Sequence, residues 1–317
     1  MLTQWLVQHT RLAILITAAI AIVAAVAGTV GMPTQLALLA ILVAILGLPH
    51  GAVDHWQGRA LLAPRLGPWW LPVFGTGYIA ATGLVIIAWA AWPPLLLTAF
   101  LILATAHFGS EDVTARPCLE HRHSLSHLMD IVLRGALPTL LAVMFHPGET
   151  AALFAALLPA TTAAQVEQAL TLATLVSPVY FAALAALIGI ALRHGDRLVA
   201  AEVAVLAATF AALPPLLAFA VYFCLWHSPR HSLLVIAEAG DARLAAGVRR
   251  FVMGALPLTA LTVAAAVPAW LALGHSFTST EATLQIVFIG LAALTVPHVL
   301  LPLIARHSGG RTSAPVR

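Results

Sequence analysis

Four short motifs set histidine among carboxylates and prolines inside otherwise apolar sequence. Gly47-Leu48-Pro49-His50-Gly51-Ala52-Val53-Asp54-His55 carries His50, Asp54 and His55. Ala106-His107-Phe108-Gly109-Ser110-Glu111-Asp112 carries His107, Glu111 and Asp112. Trp226-His227-Ser228-Pro229-Arg230-His231 carries His227 and His231, and Val296-Pro297-His298 carries His298. Ionisable groups in a bilayer are costly and face a partner or a cavity. Several imidazoles at one depth suit a metal, because histidine is the commonest metal ligand. His227 and His231 are four apart, so a helix puts both rings on one face, able to chelate one ion. His50 and His107 would approach from neighbouring helices. The ordinary alternative is that each ring bonds a carbonyl and joins helices. Asp54, Glu111 and Asp112 are either solvated interfacial charges or acceptors for a ligand ring's second N–H, which fixes its tautomer. Four neutral imidazoles without thiolate leave iron, copper, nickel and zinc open by ligand type. Apolar surroundings favour a guest dissolved in lipid, for which histidine-bound iron that activates oxygen is the most economical combination.

The elements that must hold these residues are transmembrane helices. Of 317 residues, 61% are hydrophobic and 9% charged, against about 45–50% and about 25% in soluble domains. Apolar runs near the ~20 residues that cross a bilayer core recur from end to end. Their backbones must satisfy their own hydrogen bonds, and the alternation of a membrane barrel is absent. The expected fold class is all-α: a polytopic transmembrane helix bundle of about ten spans forming one membrane domain. The spans are placed near 12–31, 35–55, 70–92, 95–109, 127–146, 171–192, 199–213, 216–237, 251–273 and 282–305. Residues 147–170 read as a loop with an interfacial helix, and the segment from 307 to 317 as a disordered tail. The run from Leu12 to Val30 exceeds the 7–15 residues typical of a signal peptide's apolar core, so it is read as a retained span.

All 15 basic residues are arginine. With the N-terminus inside, Arg11, Arg59, Arg65, Arg116, Arg122, Arg193, Arg197, Arg243, Arg249, Arg250, Arg306, Arg311 and Arg317 fall in or beside cytoplasmic segments. The opposite connections near 31–34, 93–94, 147–170, 214–215 and 274–281 hold none. That is the positive-inside pattern, and it puts both termini in the cytoplasm; the expected location is the inner (plasma) membrane. The four histidine motifs then share the cytoplasmic half. The net charge of +3 reports topology and anionic lipid, not nucleic acid. His9, His121, His123, His194, His275 and His307 are expected in solvated loops or termini, and His127 and His146 at helix ends. Asp130 and Arg134 read as an ion pair on one helix face. Cys118 and Cys224 lie in a loop and an apolar run, with no metal-binding cysteine motif.

Taken together, the four motifs resemble the Brp/Blh family of β-carotene 15,15′-dioxygenases, over about residues 40–305. The resemblance implies a membrane enzyme that uses ferrous iron (Fe2+) and O₂ to split β-carotene at its central double bond into two all-trans-retinal molecules. By motif match, the iron ligands and catalytic residues would be His50, His107, His227 and His231. Asp54, His55, Glu111, Asp112 and His298 would act around them. Phe108, Tyr222, Phe223 and Trp226 flank the ligands and are candidates to line a passage for the polyene, with ordinary core or lipid-facing packing as the alternative. The chain contains no lysine, so it cannot hold retinal as a rhodopsin Schiff base does.

Rival readings leave marks that are missing. Desaturase-like diiron enzymes use adjacent histidine pairs, and this chain has no His-His dipeptide. An intramembrane metalloprotease needs His-Glu-x-x-His, also absent. A transporter or metal carrier would scatter polar groups through the membrane thickness and often shows an inverted repeat.

Overall fold

The computed structural model describes residues 1–28, 30–115, 124–240 and 243–307. Arg116, Cys118, His121, Arg122, His123 and the tail beyond 307 lie outside them. Among the described residues there is no strand; the all-helical class follows from the apolar runs and the hydrogen-bond requirement of lipid.

The chain divides into two compact units. The first comprises Met1–Val43 and Leu101–Leu233. Its long helices are Leu2–Ala27, Ala163–Arg193 and Arg197–Ala212, with Arg197–Ala212 packed against both of the others. The helix Met32–Leu42 packs against Pro215–Val221. The helix Pro93–Thr114, whose second half lies in this unit, crosses Ser124–Gly135 at two glycines. A Cβ at Gly109 would overlap the Ile131 carbonyl, and one at Gly135 the Thr105 carbonyl. Small residues let membrane helices touch backbone to backbone.

The second unit comprises Ala44–Phe100 and the chain from Leu234 onward. Trp70–Ala91 packs against Ser279–His307 and Asp54–Leu66, while Leu48–Ala52 packs against Leu244–Leu273. Gly58 leaves room for Phe74, and Gly254 for Trp56.

The exterior is apolar, unlike that of a soluble domain, and some charges lie inside. Ile79 and Ile87 are 73% and 69% exposed, whereas Arg134 is 0% and Glu202 2% exposed. Apolar side chains outside and paired charges inside are what a hydrocarbon solvent selects.

Every expected span overlaps a helix, but the count of ten is not reproduced. Among the described residues, six helices are long and apolar enough to cross a membrane, or seven if the bent pair His127–Gly135 and Leu137–Phe145 is one span. The differences fall where spans are short or interrupted. Met32–Ala91 counts once over 60 residues, yet a π-helix at Val43–Gly47 and a 3₁₀ turn at Gly67–Trp69 divide it. Arg197–Ala212 has 16 residues. Pro215–Val221 and Ser228–Glu238 are separated by a π-helix at Tyr222–His227. Helix ends also move: the first helix starts at Leu2, not near 12, and the sixth expected span starts at Ala163, not 171. Within 147–170 the expected short helix is Pro147–Leu157.

Candidate metal centre

In the first unit, two helices bring their histidine faces together. His107 and Glu111 are one turn apart on Pro93–Thr114 and share a face. His227 ends the π-helix Tyr222–His227, and His231 lies one α-turn further on. The His107 and His227 ring centroids are 4.9 Å apart. Phe108 meets the His227 ring edge-on at 4.6 Å, and Phe223 stacks on it at 5.8 Å. His227 is fully buried. His231 Nδ1 lies 3.0 Å from Glu111 Oε2. A neutral ring donating Nδ1–H to that carboxylate carries its lone pair on Nε2, the atom a metal takes.

The π-helix has a visible cause and consequence. It widens the turn just before Pro229, which cannot donate a backbone hydrogen bond. Pro229 also leaves the Leu225 carbonyl, four residues before it, without its α-helical N–H donor, and that carbonyl accepts from His9 Nε2 at 2.9 Å. His9 is therefore no solvated terminal residue. It sits on Leu2–Ala27, half-buried. His146 ends a helix as expected and bonds the Phe210 carbonyl at 3.0 Å.

Asp112 belongs to a different set of contacts from Glu111. It accepts from Arg230 Nη1 at 3.2 Å and from the Tyr222 hydroxyl at 3.2 Å. Arg230 reaches Glu202 at 3.0 and 2.7 Å, and Arg134 joins Glu202 at 3.2 Å and Asp130 at 3.3 Å. Two guanidinium groups and three carboxylates thus join in one buried network. The Asp130–Arg134 pair is only its edge. Glu202 and Arg230 escaped the sequence reading, although a glutamate within Leu198-Val199-Ala200-Ala201-Glu202-Val203 is a signal of a buried charge needing a partner. Arg230 also lies over the Trp226 ring at 5.0 Å, and Trp226 Nε1 donates to Thr17 at 2.9 Å. Of the four aromatics singled out in sequence, Phe108 and Phe223 therefore contact His227, while Tyr222 and Trp226 are tied to polar partners. All four are buried.

In the second unit, His50 sits on the short helix Leu48–Ala52 and donates Nδ1–H to the Gly47 carbonyl. The helix breaks at Val53, and Asp54 opens the next one. Asp54 accepts from His298 Nδ1, 2.9 Å from both carboxylate oxygens, and from the Tyr78 hydroxyl at 2.9 Å. The His50 and His298 rings meet edge-on at 5.3 Å, and a nitrogen of one lies within 4.8 Å of a nitrogen of the other. His55 bonds the Ala52 carbonyl at 2.9 Å and packs against Trp56.

The donor set fits a first-row metal. His50, His231 and His298 each have Nδ1 engaged by a carbonyl or carboxylate, which directs Nε2 lone pairs to any ion. Among the described residues no thiolate competes: Cys224 is a buried free thiol inside the π-helix.

A sequence model described as Beta-carotene 15,15′-dioxygenase matches residues 41–304, which hold all four histidine motifs. The chain belongs to the β-carotene 15,15′-dioxygenase family. Among this family's curated members, it is 29% identical over 279 residues to "Probable beta-carotene 15,15'-dioxygenase Blh" of Halobacterium salinarum, covering 80% of this chain and 79% of that one. It is 28% identical over 274 residues to "Beta-carotene 15,15'-dioxygenase" of an uncultured marine bacterium, covering 82% of this chain and 90% of the relative. No solved structure matches. The matched dioxygenase segment also contains Glu202, Arg230 and Tyr78, whereas His9 and Thr17 precede it.

Proposed function

We propose that this chain is a membrane-embedded, non-haem iron dioxygenase that cleaves β-carotene at its central 15,15′ double bond with O₂, giving two all-trans-retinal molecules. The observation that carries the reading is the family match over residues 41–304, which takes in every histidine of the four motifs. Ferrous iron is the proposed cofactor, with His50, His107, His227 and His231 as its ligands. When bound, iron supplies the activation of oxygen; the chain supplies position and shelter.

Glu111 holds the His231 ring in one tautomer and orientation. Phe108 and Phe223 give the His227 ring an apolar wall, which keeps water from the reacting carbons and suits a polyene. The lipid-facing surface lets a substrate confined to the bilayer enter sideways, and the register of the polyene in its passage would select the bond that breaks. The proposed topology has ten spans with both termini cytoplasmic in the inner membrane. The Arg-free connections on one side and the Arg-rich ones on the other support it.

The deciding experiment incubates detergent-solubilised, iron-loaded protein with β-carotene in air and separates the products chromatographically. Retinal as the main aldehyde, lost without oxygen or with a ferrous chelator, is the expected result. Longer apocarotenals would mean eccentric cleavage. Folded, iron-loaded protein that leaves β-carotene intact would favour a metal carrier or transporter.

A further inference from the structure

We infer that His298 is itself an iron ligand, beside His50, and that Asp54 and Tyr78 are its positioning residues. The inference rests on the iron-dependent reading above, and it moves His298 from the surroundings of the metal to the metal.

Four observations in the second unit converge. First, His298 is buried, 7% exposed, on Ser279–His307, a helix that packs against Trp70–Ala91. A buried imidazole in a membrane protein needs a reason to be polar. Second, its Nδ1 is held by both oxygens of Asp54 at 2.9 Å. A carboxylate accepting Nδ1–H puts the ring's lone pair on Nε2 and makes it more basic. Third, Asp54 is not left to rotate. The Tyr78 hydroxyl, from Trp70–Ala91, donates to it at 2.9 Å. Tyrosine, carboxylate and imidazole thus form a chain across three helices, aimed at one ring. Fourth, the His50 ring stands edge-on to His298, with ring nitrogens of the pair within 4.8 Å. Two nitrogens bound to one ion at about 2.0–2.1 Å each stand within roughly 4.2 Å of each other, so the pair is close to chelating distance before any ion draws it in. His50 has its own Nδ1 committed to the Gly47 carbonyl, so both rings offer the same nitrogen. His55, although nearer in sequence, spends its Nδ1 on Ala52 and turns to Trp56. It is not part of this pair.

A fifth imidazole still leaves an octahedral ion an open position. It also gives Asp54 a defined role: its charge reaches the metal through one ring, which partly offsets the ion's charge in an otherwise neutral donor set.

The test uses full-length protein in detergent, loaded anaerobically with ferrous iron. Iron affinity and the electron paramagnetic resonance spectrum of the ferrous nitric oxide adduct are measured for wild type, His298→Gly, His298→Gln and Tyr78→Phe. Loss of a ligand should weaken iron binding beyond the roughly 10–100-fold typical of an outer partner, and should change the symmetry of the spectrum. Added imidazole should restore affinity and spectrum to His298→Gly. Tyr78→Phe removes one hydroxyl, so it should stay within that outer-partner range and shift the spectrum slightly. Should the glycine variant fail to fold, His298→Gln reads the same quantities. If His298→Gln matches wild type in both affinity and spectrum, the inference is wrong while the iron reading stands. If wild type takes up no iron, both fall together.

Discussion

Glu111 and Asp112 are neighbours in sequence with opposite duties. Glu111 orients His231, whereas Asp112 neutralises Arg230. Glu111→Gln should therefore weaken iron binding by about 10–100-fold while leaving thermal unfolding nearly unchanged; iron per protein across a titration checks it. Removing Arg230 should do the reverse. Arg230→Met takes a guanidinium partner from Asp112 and from Glu202, which keeps Arg134, and unbalances the buried network. Breaking one side of a buried pair costs about 3–5 kcal/mol, so unfolding in detergent should shift strongly downward. A variant with wild-type unfolding would show that the network is not holding the first unit together. At this scale the histidines and carboxylates of the four motifs were legible, because ionisable groups stand out in apolar sequence. Their pairing was not, because Glu202 and Arg230 are 28 residues apart and only packing makes them partners.

At the scale of elements, His107 is placed by the crossing of Pro93–Thr114 with Ser124–Gly135. Gly109→Ala and Gly135→Ala each put a methyl group into a backbone carbonyl of the facing helix. Overpacking costs about 1–3 kcal/mol, and the helices must move apart. Both variants should lose stability and bind iron less tightly. Gly75→Ala is the control: nothing lies within 4 Å of its Cβ position on Trp70–Ala91. That exchange should be neutral or gain up to about 1 kcal/mol from helix propensity. Equal behaviour of all three variants would remove the crossing from the account. The π-helix at Tyr222–His227 was not readable in advance. Pro229 marks a disturbed helix, but whether the chain kinks or inserts a residue depends on what receives the displaced carbonyl, here His9.

For the whole molecule, the arginine distribution predicts that reporters fused at the C-terminus and inserted within 147–170 lie on opposite sides of the membrane. Protease accessibility in sealed vesicles would check it; same-side signals would break the ten-span arrangement. Among the described residues, helix length and composition alone support six crossings, or seven with the bent pair. Span counting by hydropathy is blind to breaks, and this chain places π-helices at Val43–Gly47, Leu137–Leu141 and Tyr222–His227.

By itself, the sequence determined the solvent, the helical class and the family, and it supplied the histidines that are candidates to bind a metal. Each is a property of composition, local spacing or motif, and needs no long-range contact. Only the tertiary structure decided which groups share a task. It tied His298 to Asp54 across 244 residues and Tyr222 to Asp112 across 110. It turned Asp130 and Arg134 from an ion pair on one helix face into the edge of a buried network. The reason is physical: in lipid, a polar side chain must find its partner inside the protein. Which partner it finds depends on how the helices pack, and packing brings together residues that no sequence window contains.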